Sequence, residues 1–171
     1  SGEGSSAFGS GSQAVNLASS AFGDLSNASG VSRSAFGQSS AASGDYSSAY
    51  GYRSSATLDG AAAFGRNSQA TGIGASAYGD GSVAGTDDAA AFGSGATASA
   101  VESTAVGNGA EADGLTSAAM GAGSIARGDY SVASGSTADA EGANSLALGG
   151  GDGTSTFGAI AAGPGDIAIG A

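Results

Sequence analysis

Ser34-Ala35-Phe36-Gly37-Gln38-Ser39-Ser40-Ala41-Ala42-Ser43-Gly44-Asp45-Tyr46-Ser47 is one unit of fourteen residues, and Ser48-Ala49-Tyr50-Gly51 begins the next. Outward from it in both directions the unit recurs with variations. Glycine stands at 9, 23, 37, 51, 65, 79, 93, 107, 121, 135 and 149. Alanine stands at every multiple of seven from Ala7 to Ala168, with Thr154 the only exception. A register this strict makes each unit one structural rung and the whole chain a solenoid.

The heptad spacing of the alanines does not describe a coiled coil. Heptads need two large apolar positions, and glycine costs about 1 kcal/mol at each helical position. The local alternation has period two, which is a strand pattern. Ser47–Gly51 reads as one strand, with Ser47, Ala49 and Gly51 pointing one way and Ser48 and Tyr50 the other. Tyr52-Arg53 makes a turn, Ser54–Leu58 a second strand, and Asp59-Gly60 turns back. Asp80-Gly81 and Asn108-Gly109 carry the same turn chemistry. Two strands of five and two turns of two therefore close one fourteen-residue coil.

Coils stacked about 4.8 Å apart turn sequence positions into columns. The first inward position of the second strand reads Ser12, Ser26, Ser40, Ser54, Ser68, Ser82, Ala96, Ala110, Ser124 and Ala138. With the alanines and glycines this predicts a very flat roll, in which anything larger than serine would push the two sheets apart. Asn16, Arg33 and Leu58 also fall at inward positions, where bulges or outward rotation are expected.

The outward column of the first strand reads Phe8, Phe22, Phe36, Tyr50, Phe64, Tyr78, Phe92, Val106, Met120, Ser134 and Leu148. The outward positions of the second strand are mostly polar, as in Gln13, Asn27, Gln69, Thr71, Glu111 and Asp139. One outer face is thus an apolar stripe about 50 Å long, and the opposite face is wet. A stripe of that size is not left in water. No stretch of this sequence reads as a helix that could cover it, so another chain must. Three identical rolls around one axis would bury all three stripes, which makes a homotrimer the expected assembly. Leu17, Val31, Ile73, Val101 and Leu115, at the turn before the apolar strand, flank the stripe and are expected to touch the neighbouring subunit.

Composition narrows the function classes. The chain has 171 residues, 34 of them glycine and one proline. Such a composition also suits a disordered linker, but a linker needs no register. The net charge is −11, with four arginines and no lysine. This surface repels phosphate backbones, so no nucleic acid is expected as a partner. No polybasic run is present to hold an anionic membrane. Histidine and cysteine are absent, which removes disulfides, most zinc and copper sites, and the usual acid–base residue. No cofactor and no metal is implied.

Other motifs fall to the same register. Gly72-Ile73-Gly74-Ala75-Ser76-Ala77 superficially fits a dinucleotide fingerprint, but no helix follows it. Asn27-Ala28-Ser29 is a glycosylation sequon by letter only, and Gly149-Gly150-Gly151-Asp152-Gly153 occurs once rather than in tandem calcium repeats. Glu111, Asp113, Asp139 and Glu141 share the wet face, with Arg127 stacked between Asp113 and Glu141. They read as an ionic ladder on a solvated surface, not as an enzyme's paired acids. The wet face is too irregular for an ice-binding array.

Asn144-Ser145-Leu146-Ala147-Leu148-Gly149 resembles the Asn-Ser-Val-Ala-Ile-Gly signature of YadA-like heads in trimeric autotransporter adhesins. The repeated Ser-x-Ala-x-Gly-x-x half-unit resembles the same family over about residues 5–149. The resemblance implies an all-β, left-handed parallel β-roll with fourteen-residue coils, assembled as a homotrimer. Phe8, Phe22, Phe36, Tyr50, Phe64, Tyr78, Phe92, Val106, Met120, Leu146 and Leu148 would then line the trimer interface. It implies an adhesin head at the bacterial cell surface, attaching to host cells, extracellular matrix or other bacteria. Anchorage would lie in the outer membrane, through a C-terminal region outside this sequence. A trimeric fibre or spacer segment without its own ligand is the alternative. This chain departs from the signature in pairing one small with one large residue in most coils, keeping the summed volume.

Residues 1–149 are expected to form the head repeats. Residues 150–171 are expected to form an irregular final coil leading toward a neck or connector. There Ile160 is expected to keep the apolar face. Ile167 and Ile169 are expected on the second strand, with Pro164 in the turn before them. The chain reads as a piece of a longer one.

Overall fold

The computed structural model describes residues 2–151 and 158–170. Their strands form two parallel sheets, one of twelve strands from Ser6–Phe8 to Ile167–Ile169, the other of eleven from Gln13–Ala14 to Ile160–Ala161. The chain passes from one sheet to the other at every turn, and each strand pairs with its equivalent one coil later. Ala49, for example, lies beside Ala35 on one side and Ala63 on the other. This is the expected all-β solenoid of fourteen-residue coils.

The regular strands are shorter than the expected five residues: three in the first sheet, as in Ser48–Tyr50, and two in the second, as in Ser55–Ala56. Coil-to-coil bonding nevertheless runs on through the turns. Gly51 N–H donates to the Phe36 carbonyl at 2.8 Å, Arg53 N–H to Gln38 at 3.0 Å, and Gly60 N–H to Asp45 at 2.8 Å. Each turn places its third residue in the left-handed region, among them Arg53 at φ 54° and Tyr46 at φ 60°.

The space between the sheets is as small as the columns require. Among the described residues the buried apolar set consists of alanines alone, and the largest fully buried side chains are serines. Serine suits the column next to the turn because its hydroxyl finds a partner there. Ser26, Ser40 and Ser54 donate to the carbonyls of Gly23, Gly37 and Gly51 at 2.8–3.0 Å. A buried hydroxyl without such a partner would cost about 1–3 kcal/mol.

Of the three oversized residues, Asn16 and Leu58 turn outward as expected and are exposed. Arg33 does not. It stays buried at 6% exposure, because Gly30 leaves the space that its guanidinium occupies: a Cβ on Gly30 would fall 1.3 Å from Arg33 Nη2. The guanidinium reaches Asp45, with Nη2 2.8 Å from Oδ1. A buried charge survives there because a carboxylate meets it.

The final coil corrects a second expectation. Ile167 and Ile169 pair with Leu146 and Leu148 in the first sheet, and Ile160 pairs with Asp139 in the second. The steps are twenty-one residues rather than fourteen. Seven residues have been added between Leu148 and Ile160, half a coil, so the alanine register survives while the two sheets exchange places relative to a fourteen-residue count. The break in the alanine series, Thr154, falls in this stretch and, like Asp152 and Gly153, lies outside the described residues.

Candidate interaction face

The first sheet presents its outward column as a stack of rings. From Phe22 through Phe36, Tyr50, Phe64 and Tyr78, successive centroids are 4.8 Å apart with planes within 8° of parallel. Tyr78–Phe92 continues it at 5.1 Å and 12°, and Phe8–Phe22 opens it at 6.4 Å and 30°. The spacing is that of the strands and lies within the centroid range of aromatic pairs in contact. Val106, Met120 and Leu148 extend the column, and Ile169 joins it through the half-coil shift.

At Ser134 the column has a gap, and there the neighbouring outward position holds Val132 in place of the usual serine, alanine or threonine. Sequence reading missed Val132, although the exchange of large and small within one coil was visible. In the last two coils both positions are large, Leu146 with Leu148 and Ile167 with Ile169.

Within one chain the stack is only half covered. Phe36, Tyr50, Phe64, Leu146 and Leu148 are half-buried by their neighbours above and below, while Phe8, Phe22, Tyr78, Phe92, Val106 and Met120 are exposed. Phe92 is 41% and Met120 42% exposed. The sequence-derived interface residues therefore all lie on one side of one sheet, as a single surface.

The structure separates the charges from this face. On the second sheet Arg127 grips Asp139 through Nη1, at 2.7 and 2.9 Å, and stands 3.7 Å from Glu141. The expected partner one coil earlier, Asp113, instead accepts from the Ser99 hydroxyl. The hydrogen bond that Arg127 donates to Asp139 raises the Arg127 pKa. Arg66 pairs with Asp80 at 2.6 Å, which holds that carboxyl below its ordinary value.

A second ladder went unread in the sequence. Asp45, Asp59, Asp87 and Asp129 occupy one turn column, and each Oδ1 accepts the backbone N–H of the residue one coil earlier, Val31, Asp45, Ile73 and Leu115, at 2.8–3.0 Å. The Val31 N–H and then the Arg33 guanidinium hold the Asp45 carboxyl below the usual carboxylate range. The signal was recurrence of aspartate at multiples of fourteen.

The YadA head domain repeat, in its two-copy form, matches residues 1–26, 34–54, 56–82, 87–110, 112–138 and 126–151. The chain belongs to the YadA head family. None of the curated proteins compared with it matches. Every member of the aromatic and aliphatic column from Phe8 to Leu148 falls within the YadA head repeats, whereas Gly30 and Arg33 fall between two of them.

Proposed function

We propose that three copies of this chain assemble around one axis through the aromatic face, and that the trimer is the head of a bacterial surface adhesin. The observation that carries this reading is the column from Phe8 to Leu148 on a YadA head repeat, large and mostly apolar except at Ser134, where Val132 stands beside the gap, and only half covered by its own chain. Its interface is formed by Phe8, Phe22, Phe36, Tyr50, Phe64, Tyr78, Phe92, Val106, Met120, Leu146 and Leu148. The outward side of the second sheet and the turns then remain for attachment to a host matrix or cell-surface protein, or to other bacteria. Residues 150–171, marked off by the added half-coil, lead toward a neck, and an outer-membrane anchor lies outside this stretch.

Light scattering should give a trimer for the unmodified protein. Phe36→Asp with Phe64→Asp should release or unfold the chains; a folded monomer of the unmodified protein contradicts the reading. Binding of the trimer to immobilised matrix proteins or cells, lost on substituting the polar sheet, supports an adhesin. A trimer that binds none of them is a spacer.

A further inference from the structure

The two edges of the roll are unlike, and symmetry brings them together. If each flat roll is one wall of a three-sided prism with its aromatic face inward, rotation about the axis leaves no like edges in contact. Every corner joins the edge where the chain enters the aromatic sheet to the neighbour's edge where it leaves that sheet. Equivalent coils stand at equal height, so the residues that meet at a corner can be read from one chain.

The entry edge carries the aspartate ladder; of the two arginines beside it, Arg33 is buried and Arg127 is held on the second sheet by Asp139 and Glu141. The exit edge carries Arg53 and Arg66. Arg66 is paired with Asp80, but Arg53 has no carboxylate within 4.0 Å among the described residues. Its guanidinium lies 5.5 Å from the centre of the Tyr52 ring and is exposed. Asp59, on the entry edge, is likewise exposed and has no arginine partner. Arg53 comes eight residues after Asp45 and six before Asp59, close to half a coil from each, so it stands within about 3 Å of each in height. The apolar edge residues agree. Leu17 enters and Leu25 leaves the same strand, Ser20–Phe22, and they are 52% and 60% exposed on opposite edges. The exit-edge carboxylate nearest an acidic coil, Asp80, is already neutralised by Arg66.

We propose that the unlike edges of neighbouring copies seat against each other at the three corners, Leu17 against Leu25 and Arg53 against Asp59. This inference rests on the trimeric reading of the aromatic face. The corner contacts favour the in-register trimer over an assembly with one chain slipped by a whole coil, which the evenly spaced rings from Phe22 to Tyr78 distinguish poorly.

The protein contains no cysteine, so engineered pairs report without background. Within one chain Leu17 and Leu25 are held apart by the strand between them, about 15 Å, too far for a disulfide. Leu17→Cys with Leu25→Cys should therefore oxidise to a covalent trimer on denaturing gels, and neither single variant should. A protein that sediments as a trimer yet gives no covalent trimer overturns the edge pairing and leaves the aromatic face standing. A protein that sediments as a monomer removes the face reading itself. Charge exchange gives a second readout that does not depend on the cysteines. Arg53→Glu or Asp59→Arg alone should raise the trimer dissociation midpoint concentration by about fivefold, and the two together should restore it to within about twofold. Singles and double that all match the unmodified protein overturn the ion pair.

Discussion

Gly65 stands with φ 137°, and a Cβ placed on it would lie 2.3 Å from the Gly79 carbonyl oxygen one coil further on. The period of this glycine was plain in the sequence, but its reason was not. The two-residue alternation points it to the interior, whereas the contact that excludes a side chain runs along the solenoid axis. Gly81, at φ 66°, has nothing within 4 Å of the same position. Gly65→Ala should cost roughly 3 kcal/mol or more, and Gly81→Ala about 1 kcal/mol, a contrast that urea denaturation midpoints measure directly. Arg33 escaped for a related reason: a large residue in a serine column signals conflict, and only the empty place at Gly30 shows how it is resolved. Removing Asp45 leaves that guanidinium buried without a counter-charge, so Asp45→Asn should lower the melting temperature, whereas Arg33→Ser restores the ordinary column and should change stability by less than about 1 kcal/mol. The Asp45 carboxyl is lowered in the folded chain. Its contribution is therefore present above the ordinary carboxylate value of about 3.9 and is lost as pH falls through the lowered one. The melting difference between Asp45→Asn and the unmodified protein should hold from neutral pH to about pH 5 and close below it. A difference independent of pH would remove the charge from the explanation.

At the scale of the coil, the alternation of small and large residues made both sheets and the sides of their faces legible, because a two-residue period leaves each side chain only one of two directions. The final coil was not legible from the same signal. Each half-coil is seven residues with alanine at its centre, so an added seven leaves the alanine register untouched while exchanging the sheets, and Ile167 and Ile169 land beneath Leu146 and Leu148. The same arithmetic gives a test. Deleting residues 62–75, one whole coil, should leave the circular dichroism spectrum and the assembly state unchanged. Deleting residues 62–68, half a coil, would send Tyr78 and Phe92 to the polar sheet, and the assembly should be lost. Equal behaviour of the two deletions would show that the sheets are interchangeable, contrary to their faces.

For the whole molecule, the apolar face and the alanine interior are both consequences of one repeat written many times, and this much the sequence carried openly. The pairing of one edge with another was hidden, because it depends on residues half a coil apart that meet only between copies. The direction of the backbone bonds has a mechanical consequence. The coil-to-coil bonds, such as Gly51 N–H to Phe36 and Gly60 N–H to Asp45, run along the solenoid axis. Tension applied between the two ends therefore loads the coil interfaces in series, and the force at which the chain yields is set by its weakest interface rather than by its length. One coil occupies about 4.8 Å of axis but contains fourteen residues, about 48 Å when drawn out at the extended rise per residue. Each interface that opens lengthens the tether roughly tenfold over that coil while the rest stays wound. The roll thus behaves as a reel of slack that gives way one turn at a time under load.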